Sequence, residues 1–226
     1  MGWLARASAV AICVWLGQTG VQAAPDTTGV SFTPPRPPSP PEPGFTGSDD
    51  PLHLARALVA RNEHRSRPFA VVDKRRAQIL VFDGRGALVG RSAALLGRAL
   101  GDVSAPGVGL RTQLGQLRDE DRTTPAGRYF SEPGRNREGE GVIWIDYEAA
   151  LAIHRLRGGP DHANRRLRLA GSDPMARRVS AGCVVVPGDF YDNVVQPWLG
   201  RQRGLVLVMP EAPLAQAHAD SADSVM

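Results

Sequence analysis

Cysteine is nearly absent from this chain: there are two in 226 residues. One of them, Cys13, lies inside an N-terminal apolar run, so a mature protein without that run keeps only Cys183. A single thiol excludes an internal disulfide, and the lack of C-x-x-C or H-x-x-x-H spacing argues against a zinc site. The scarcity favours an intermolecular bridge or a reactive group at Cys183, with a buried, inert thiol as the plain alternative.

A large charge excess and long apolar runs are also missing. The formal net charge is +4, from 27 basic and 23 acidic residues. This mild excess does not indicate nucleic-acid binding, and carboxylates and phosphates of a cell wall or membrane fit it better. The apolar run at residues 7–16 is shorter than the about 20 residues that a transmembrane helix needs. We therefore expect no nucleic-acid partner and no stable membrane span.

The N-terminus has the three parts of a secretory signal peptide. Arg6 precedes the apolar run, and the small residues Ala23 and Ala24 follow it. Cys13 follows Ile12 rather than a small residue, so we do not interpret it as a lipid anchor. We predict a signal peptide at 1–24 and export to the periplasm or cell wall, with an uncleaved anchor as the alternative.

Composition divides the rest of the chain into four parts. Residues 25–50 are proline-rich and predict an extended polyproline II linker. An acidic cap before a proline predicts a short helix over 51–66, with its two histidines, His53 and His64, at the surface. Residues 67–210 form the predicted catalytic domain, and the polar, alanine-rich tail 211–226 is expected to be disordered.

Short apolar runs separated by turn residues dominate the predicted domain. Residues 69–73, 78–83 and 87–90 predict a β-meander, and 142–146, 151–154 and 205–209 predict further strands. Residues 189–199 have a helical pattern, whereas 97–122 have no clear pattern and receive no assignment. The expected fold class is mainly β, with one or two flanking helices.

The run Val179–Val186 contains the features of a catalytic cysteine. Its small lead-in Ser180-Ala181-Gly182 puts Cys183 at the mouth of a β-branched strand. The run Leu151–His154 predicts another short strand that ends in a histidine. A thiol and an imidazole held by rigid strands suffice for nucleophilic catalysis, because a histidine lowers the thiol pKa from about 8.5 and takes its proton.

Residues near Cys183 and His154 complete the candidate site. We prefer His154 to His162 as the base because a strand end positions it, although a purely structural histidine is the alternative. Gly182 would let the backbone N–H of Cys183 approach a developing oxyanion closely. Ser180 would orient the thiol or the substrate, or serve only as a turn residue. No cofactor or metal is implied.

These motifs resemble a known enzyme family. The strands around Val72–Lys74 and Val81–Asp83, the run Thr124–Phe130, His154 and the run Ser180–Val184 follow one another within residues 68–209. They are similar to the catalytic domain of L,D-transpeptidases of the YkuD type. The motifs T-P-x-G-x-[YF] and S-x-G-C are a fairly specific combination.

The resemblance implies a β-sandwich that cross-links or trims bacterial peptidoglycan. By this analogy Cys183 attacks the carbonyl between the third residue of a stem peptide and its terminal D-alanine. His154 acts as base and then acid, its ring oriented by a backbone carbonyl, that of Arg155. The partner is then a peptidoglycan stem peptide, and we expect a monomer. Alternatives are an L,D-carboxypeptidase or cross-link hydrolase at the same site, and a non-catalytic wall-binding module.

Three positions depart from the family pattern. Ala181 stands where the family usually has histidine, Val185 where it has arginine or asparagine, and Arg155 where it has glycine. The gap between His154 and Ser180 is also longer than usual and strongly basic. We interpret it as a lid that replaces the missing arginine and binds substrate carboxylates, with a solvated loop as the alternative. The predicted substrate-binding residues in it are Arg157, Arg165, Arg166 and Arg178.

Overall fold

The computed structural model describes residues 49–211 of the chain. Three predicted segments lie outside the described residues. They are the signal peptide 1–24, the linker 25–50 except for its last two residues, and the tail 211–226 except for its first residue.

Helix α1 (Pro51–Ala60) opens the described chain. The Asp50 carboxylate accepts a hydrogen bond from the backbone N–H of Leu52 at 3.0 Å, and Pro51 occupies the first turn, as the cap pattern predicts. The helix ends earlier than the predicted span 51–66. Asn62, Arg65 and Ser66 have positive φ, which a right-handed helix cannot contain.

His64, expected at the surface, is buried. Its ring lies 5.3 Å from the ring of Phe69, centroid to centroid, and its Nε2 is 3.1 Å from the carbonyl oxygen of Gly84. The surface expectation was wrong because the chain turns back after α1 and brings this histidine against the first strand.

The described residues form a mainly β fold around a sheet of eight strands. In their order across the sheet, these are β3 (Leu88–Ala93), β2 (Gln78–Phe82), β1 (Phe69–Asp73), β10 (Gly204–Val208), β5 (Gly127–Arg135), β6 (Gly141–Asp146), β7 (Leu151–Arg155) and β9 (Val184–Val186). The first three are the predicted meander. A second sheet pairs β4 (Leu96–Gly97) with β8 (Arg178–Ser180).

The large sheet curls so that its two ends meet, which gives a sandwich-like arrangement. Leu95, just after β3, exchanges two backbone hydrogen bonds with Val185 of β9, at 2.8 and 2.9 Å. One buried apolar cluster contains Ile79 of β2 together with Ile153 of β7 and Val184 of β9. Strands from both ends therefore cover a common core.

Helices fill the connections between strands. They are α2 (Val108–Gln113), α3 (His162–Ala170), a 3₁₀ turn (Met175–Arg177), and a helical run after β9 made of α4 (Gly188–Phe190), a π-helical turn (Tyr191–Val195) and α5 (Gln196–Leu199). The predicted helical segment 189–199 is confirmed. Where a loop was expected between His154 and Ser180, α3 is present and begins at His162. Between residues 49 and 211, none of the helices has the length and apolar character to span a membrane.

Candidate active site

The two predicted catalytic residues are positioned by hydrogen-bonded neighbouring strands: His154 lies on β7 and Cys183 just before β9. Strands β7 and β9 are parallel, with Ile153 opposite Val184 and His154 opposite Val185. Cys183 directly precedes β9, and the same register continued by one residue places it opposite Ala152 of β7. Because side chains alternate along a strand, His154 and Cys183 project from the same face of the sheet.

His154 is oriented by a backbone carbonyl. Its Nδ1 lies 2.8 Å from the carbonyl oxygen of Arg155, the contact expected from the resemblance. A carbonyl only accepts hydrogen bonds, so Nδ1 carries the proton and the lone pair is on Nε2. Burial lowers the pKa of His154 to about 4, and the positive charges of Arg157 and Arg165 lower it further against the effect of the Arg155 carbonyl. The imidazole is thus neutral at neutral pH and able to take a proton.

The side chain of Arg155 points to other partners. Its guanidinium forms an ion pair with Asp192 at 2.5 Å and lies 5.2 Å from the ring centroid of Tyr191. Arg155 therefore contacts His154 through its backbone carbonyl, while its side chain links the end of β7 to the helical run after β9.

Cys183 is a half-buried, free thiol. Burial raises its pKa, against the opposing effects of the Ala152 N–H and the Arg157 charge. The Sγ–H donates to the carbonyl oxygen of Ala150 at 3.5 Å, and within residues 49–211 the sulfur has no hydrogen bond to His154. The resting pair is therefore a protonated thiol and a neutral imidazole.

The carbonyl that accepts from the thiol belongs to a residue in an unusual conformation. Ala150 has a φ of 55°, in the left-handed region that non-glycine residues rarely occupy. Helix α2 packs closely on the same turn: a Cβ on Gly109 would lie 1.7 Å from the carbonyl oxygen of Glu148. This packing was not predicted, because residues 97–122, which contain α2, show no clear periodicity.

Ser180 braces the turn that carries Cys183. Its buried hydroxyl donates to the carbonyl oxygen of Cys183 at 2.7 Å and accepts from the N–H of Gly182 at 3.1 Å. Gly182 has a φ of 127°, and a Cβ there would lie 2.9 Å from the carbonyl oxygen of Thr123. Of the two roles considered for Ser180, these contacts favour the turn residue. The role of the Cys183 N–H toward an oxyanion stays a prediction.

A small cavity of about 50 Å³ adjoins the thiol. Its walls are mostly apolar and come from the turn before β7, the Cys183 turn and the segment 104–125; they include Val108, Pro125, Ala150, Ala181 and Cys183. The cavity also contacts Asp121, which is bound by Arg111 through two hydrogen bonds of 2.7 and 2.5 Å. This guanidinium holds the pKa of Asp121 well below its usual range, so a permanent ion pair supports the cavity wall.

The four predicted substrate-binding arginines have different environments. Arg157 forms an ion pair with Glu140 at 2.8 Å, and Arg166 is exposed on α3. Arg178 is buried, with its guanidinium bound to Glu211 and to the carbonyl oxygen of Lys74. Arg165 is half-buried near His154, and the described part of the chain gives its guanidinium no ion pair or hydrogen bond. Arg165 is thus the one of the four best placed to bind a substrate anion.

Sequence reasoning missed two buried residues behind the site. The hydroxyl of Thr124 donates to the carbonyl oxygen of Gly182 at 2.7 Å, and the ammonium of Lys74 donates to the carbonyl oxygen of Thr124 at 2.9 Å. Thr124 belongs to the motif that carries the family resemblance, which could have drawn attention to it. Lys74 follows a predicted strand, where a lysine is normally exposed, so the sequence did not indicate that it is buried.

Among residues 49–211, no group of three or more His, Cys, Asp or Glu side chains could hold a metal ion. No protein-family model matches the chain, and no curated protein matches it.

Proposed function

We propose that this protein is an exported, L,D-transpeptidase-like cysteine acyltransferase that acts on peptidoglycan stem peptides. The observation that carries the proposal is the His154 geometry: Nδ1 bonded to the Arg155 carbonyl, and Nε2 free to act on a thiol from the neighbouring strand. The sequence motifs supply the substrate class, and the geometry supports the chemistry.

The reaction begins from the neutral pair. Nε2 of His154 takes the proton of Cys183 as the sulfur attacks the peptide carbonyl, and a C–S bond forms. The C–N bond to D-alanine then breaks, with the proton of His154 passing to the leaving amine. The resulting thioester is resolved by an amine of a second stem peptide or by water, with release of the thiol.

The raised thiol pKa has a consequence for this scheme. The sulfur donates to Ala150 rather than to His154, so a bound substrate must displace this contact before proton transfer. We expect slow modification of the free enzyme at neutral pH and faster acylation by compounds that occupy the cavity. The same resting contact supports the alternative of a wall-binding module with an inactive thiol.

To test the proposal, the intact mass of the mature protein is measured after incubation with a carbapenem or a disaccharide tetrapeptide. We expect a covalent adduct on the parent protein and none on the Cys183→Ala variant. Release of D-alanine without a cross-linked product would indicate the carboxypeptidase or hydrolase. Absence of any adduct, with wall-pellet binding retained by Cys183→Ala, would reject the enzyme in favour of the binding module.

A further inference from the structure

A buried lysine, Lys74, begins a series of hydrogen bonds that extends through Thr124 to the Cys183 turn. Lys74 follows β1, and its side chain is completely buried. Its ammonium donates to the carbonyl oxygens of Gly101 at 2.6 Å and Thr124 at 2.9 Å, and to a carboxylate oxygen of Asp102 at 2.5 Å. The ammonium has three hydrogens, and these three acceptors use all of them.

The charge of this lysine is balanced locally. Besides Asp102, a carboxylate oxygen of Glu211 lies 3.5 Å from Nζ, and the other oxygen of Glu211 accepts from Arg178 at 2.7 Å. Arg178 also donates to the carbonyl oxygen of Lys74 at 2.8 Å. Two cations and two carboxylates thus form a closed cluster, which fixes the position of Nζ and, through it, the backbone of Thr124.

Thr124 connects the Lys74 cluster to the Cys183 turn through hydrogen bonds. Its side chain is fully buried; the hydroxyl accepts from the N–H of Gly97 at 2.8 Å and donates to the carbonyl oxygen of Gly182 at 2.7 Å. The single hydroxyl hydrogen is therefore directed at Gly182. Both partners of the hydroxyl are backbone groups, so the surrounding backbone determines the direction of this bond.

The carbonyl of Gly182 and the N–H of Cys183 belong to one planar peptide unit. A hydrogen bond that fixes the carbonyl also fixes the direction of the N–H on the opposite side of that plane. It also polarises the amide, which makes the N–H a stronger donor. Ser180 holds the two adjoining peptide units, through the N–H of Gly182 and the carbonyl of Cys183.

We propose that Thr124, held by Lys74, is a positioning residue that aims the backbone N–H of Cys183 at the oxyanion formed when the thiol is acylated. The inference rests on the thiol chemistry of the proposed function and not on its peptidoglycan substrate. A positioned oxyanion donor accelerates attack on a carbonyl but contributes nothing to attack on an alkyl halide, which develops no oxyanion. The two reactions of one thiol therefore separate this role from a general effect on the thiol.

The experiment compares acylation of Cys183 by p-nitrophenyl acetate with alkylation by iodoacetamide. In acylation the sulfur bonds to the acetyl carbon, the thiol proton passes to Nε2 of His154, the ester C–O bond breaks, and nitrophenolate leaves and is measured by its absorbance. In alkylation the sulfur bonds to the methylene carbon and iodide leaves. For Thr124→Val we expect acylation to fall about tenfold to hundredfold, since one misdirected oxyanion donor costs up to about a thousandfold. Alkylation should stay within about twofold, and Thr124→Ser should restore acylation, because serine keeps the hydroxyl.

Ser131→Ala is the matched control, because it removes another buried hydroxyl that lies on β5 away from the Cys183 turn. Should Thr124→Val fail to fold, Lys74→Arg tests the same link, since it keeps the charge but not the compact ammonium; acylation alone should again fall. An equal loss of acylation and alkylation, or no loss of either, would overturn the proposal. If stem peptides give no adduct but the two probe reactions diverge as expected, the substrate assignment fails and the positioning role stands.

Discussion

His154 couples the stability of the fold to pH. Burial lowers its pKa to about 4, whereas in the unfolded chain it titrates near the ordinary value of 6.5. Between these values the unfolded state binds more protons, so the free energy of unfolding rises with pH. We expect His154 to contribute up to about 3 kcal/mol of this rise, all of it lost below about pH 4.

Urea unfolding at a series of pH values tests this coupling, with the parent compared to His154→Gln. Glutamine does not titrate, so the difference in slope between the two proteins isolates His154 from the other ionisable groups. The slopes should diverge between about pH 4 and 6.5 and agree above it. Parallel curves through this window would mean that the imidazole is not shielded from solvent.

Arg165 is the residue for which we expect the strongest effect on substrate binding. It is half-buried near His154, with no carboxylate partner in residues 49–211, so a substrate carboxylate would find a partly desolvated cation. Loss of a charge-assisted hydrogen bond costs about 1.5–3 kcal/mol. Arg165→Gln should therefore raise the KM for stem peptide about tenfold to hundredfold.

The same substitution should move the pKa of His154 upward, because the Arg165 charge helps to lower it. Arg201→Gln is the matched control: this arginine is exposed in the turn before β10, and its loss changes the net charge equally. Initial rates over a range of peptide concentrations measure both variants. Equal shifts in KM would assign the effect to overall charge instead of a carboxylate site.

At the scale of the elements, the sequence predicted the strands well because their apolar runs are short and bounded by turn residues. The strand end that holds His154 and the strand mouth that holds Cys183 are both present. Their adjacency could not be derived from periodicity alone. Parallel neighbours need a crossover of a dozen or more residues, usually with a helix. The long basic gap is this crossover, and α3 is its helix.

The secondary structure of residues 97–122 could not be predicted, for a different reason. Its order depends on contacts that have no regular spacing in sequence, such as the ion pair of Arg111 with Asp121 within the segment and the approach of Gly109 to Glu148 outside it. Neither leaves a periodic pattern. The Lys74 cluster is similar, because its contacts join residues that are 104 and 109 positions apart in sequence. Buried polar networks of this kind are determined by the tertiary structure that they help to hold.

At the scale of the whole molecule, two apolar clusters pack on opposite faces of the sheet and have different roles. One contains Ile153 and Val184, beneath the catalytic strands. The other packs α1 on the opposite face, where Leu54 and Leu58 contact a cluster that includes Phe69 of β1. The helix therefore contributes stability from a position remote from the site.

Leu58→Ala tests this separation. Leu58 is 3% exposed, so its truncation should lower the free energy of unfolding by about 2–4 kcal/mol through lost burial and the cavity left behind. Leu114→Ala, at a leucine that is 59% exposed, should change it by less than about 0.5 kcal/mol. Denaturant unfolding gives both values, and acylation of Cys183 by p-nitrophenyl acetate under native conditions should match the parent in each variant. If Leu58→Ala is as stable as Leu114→Ala, packing of α1 does not contribute to the stability of the core. If acylation is slowed in a fully folded Leu58→Ala protein, the two clusters are coupled across the sheet.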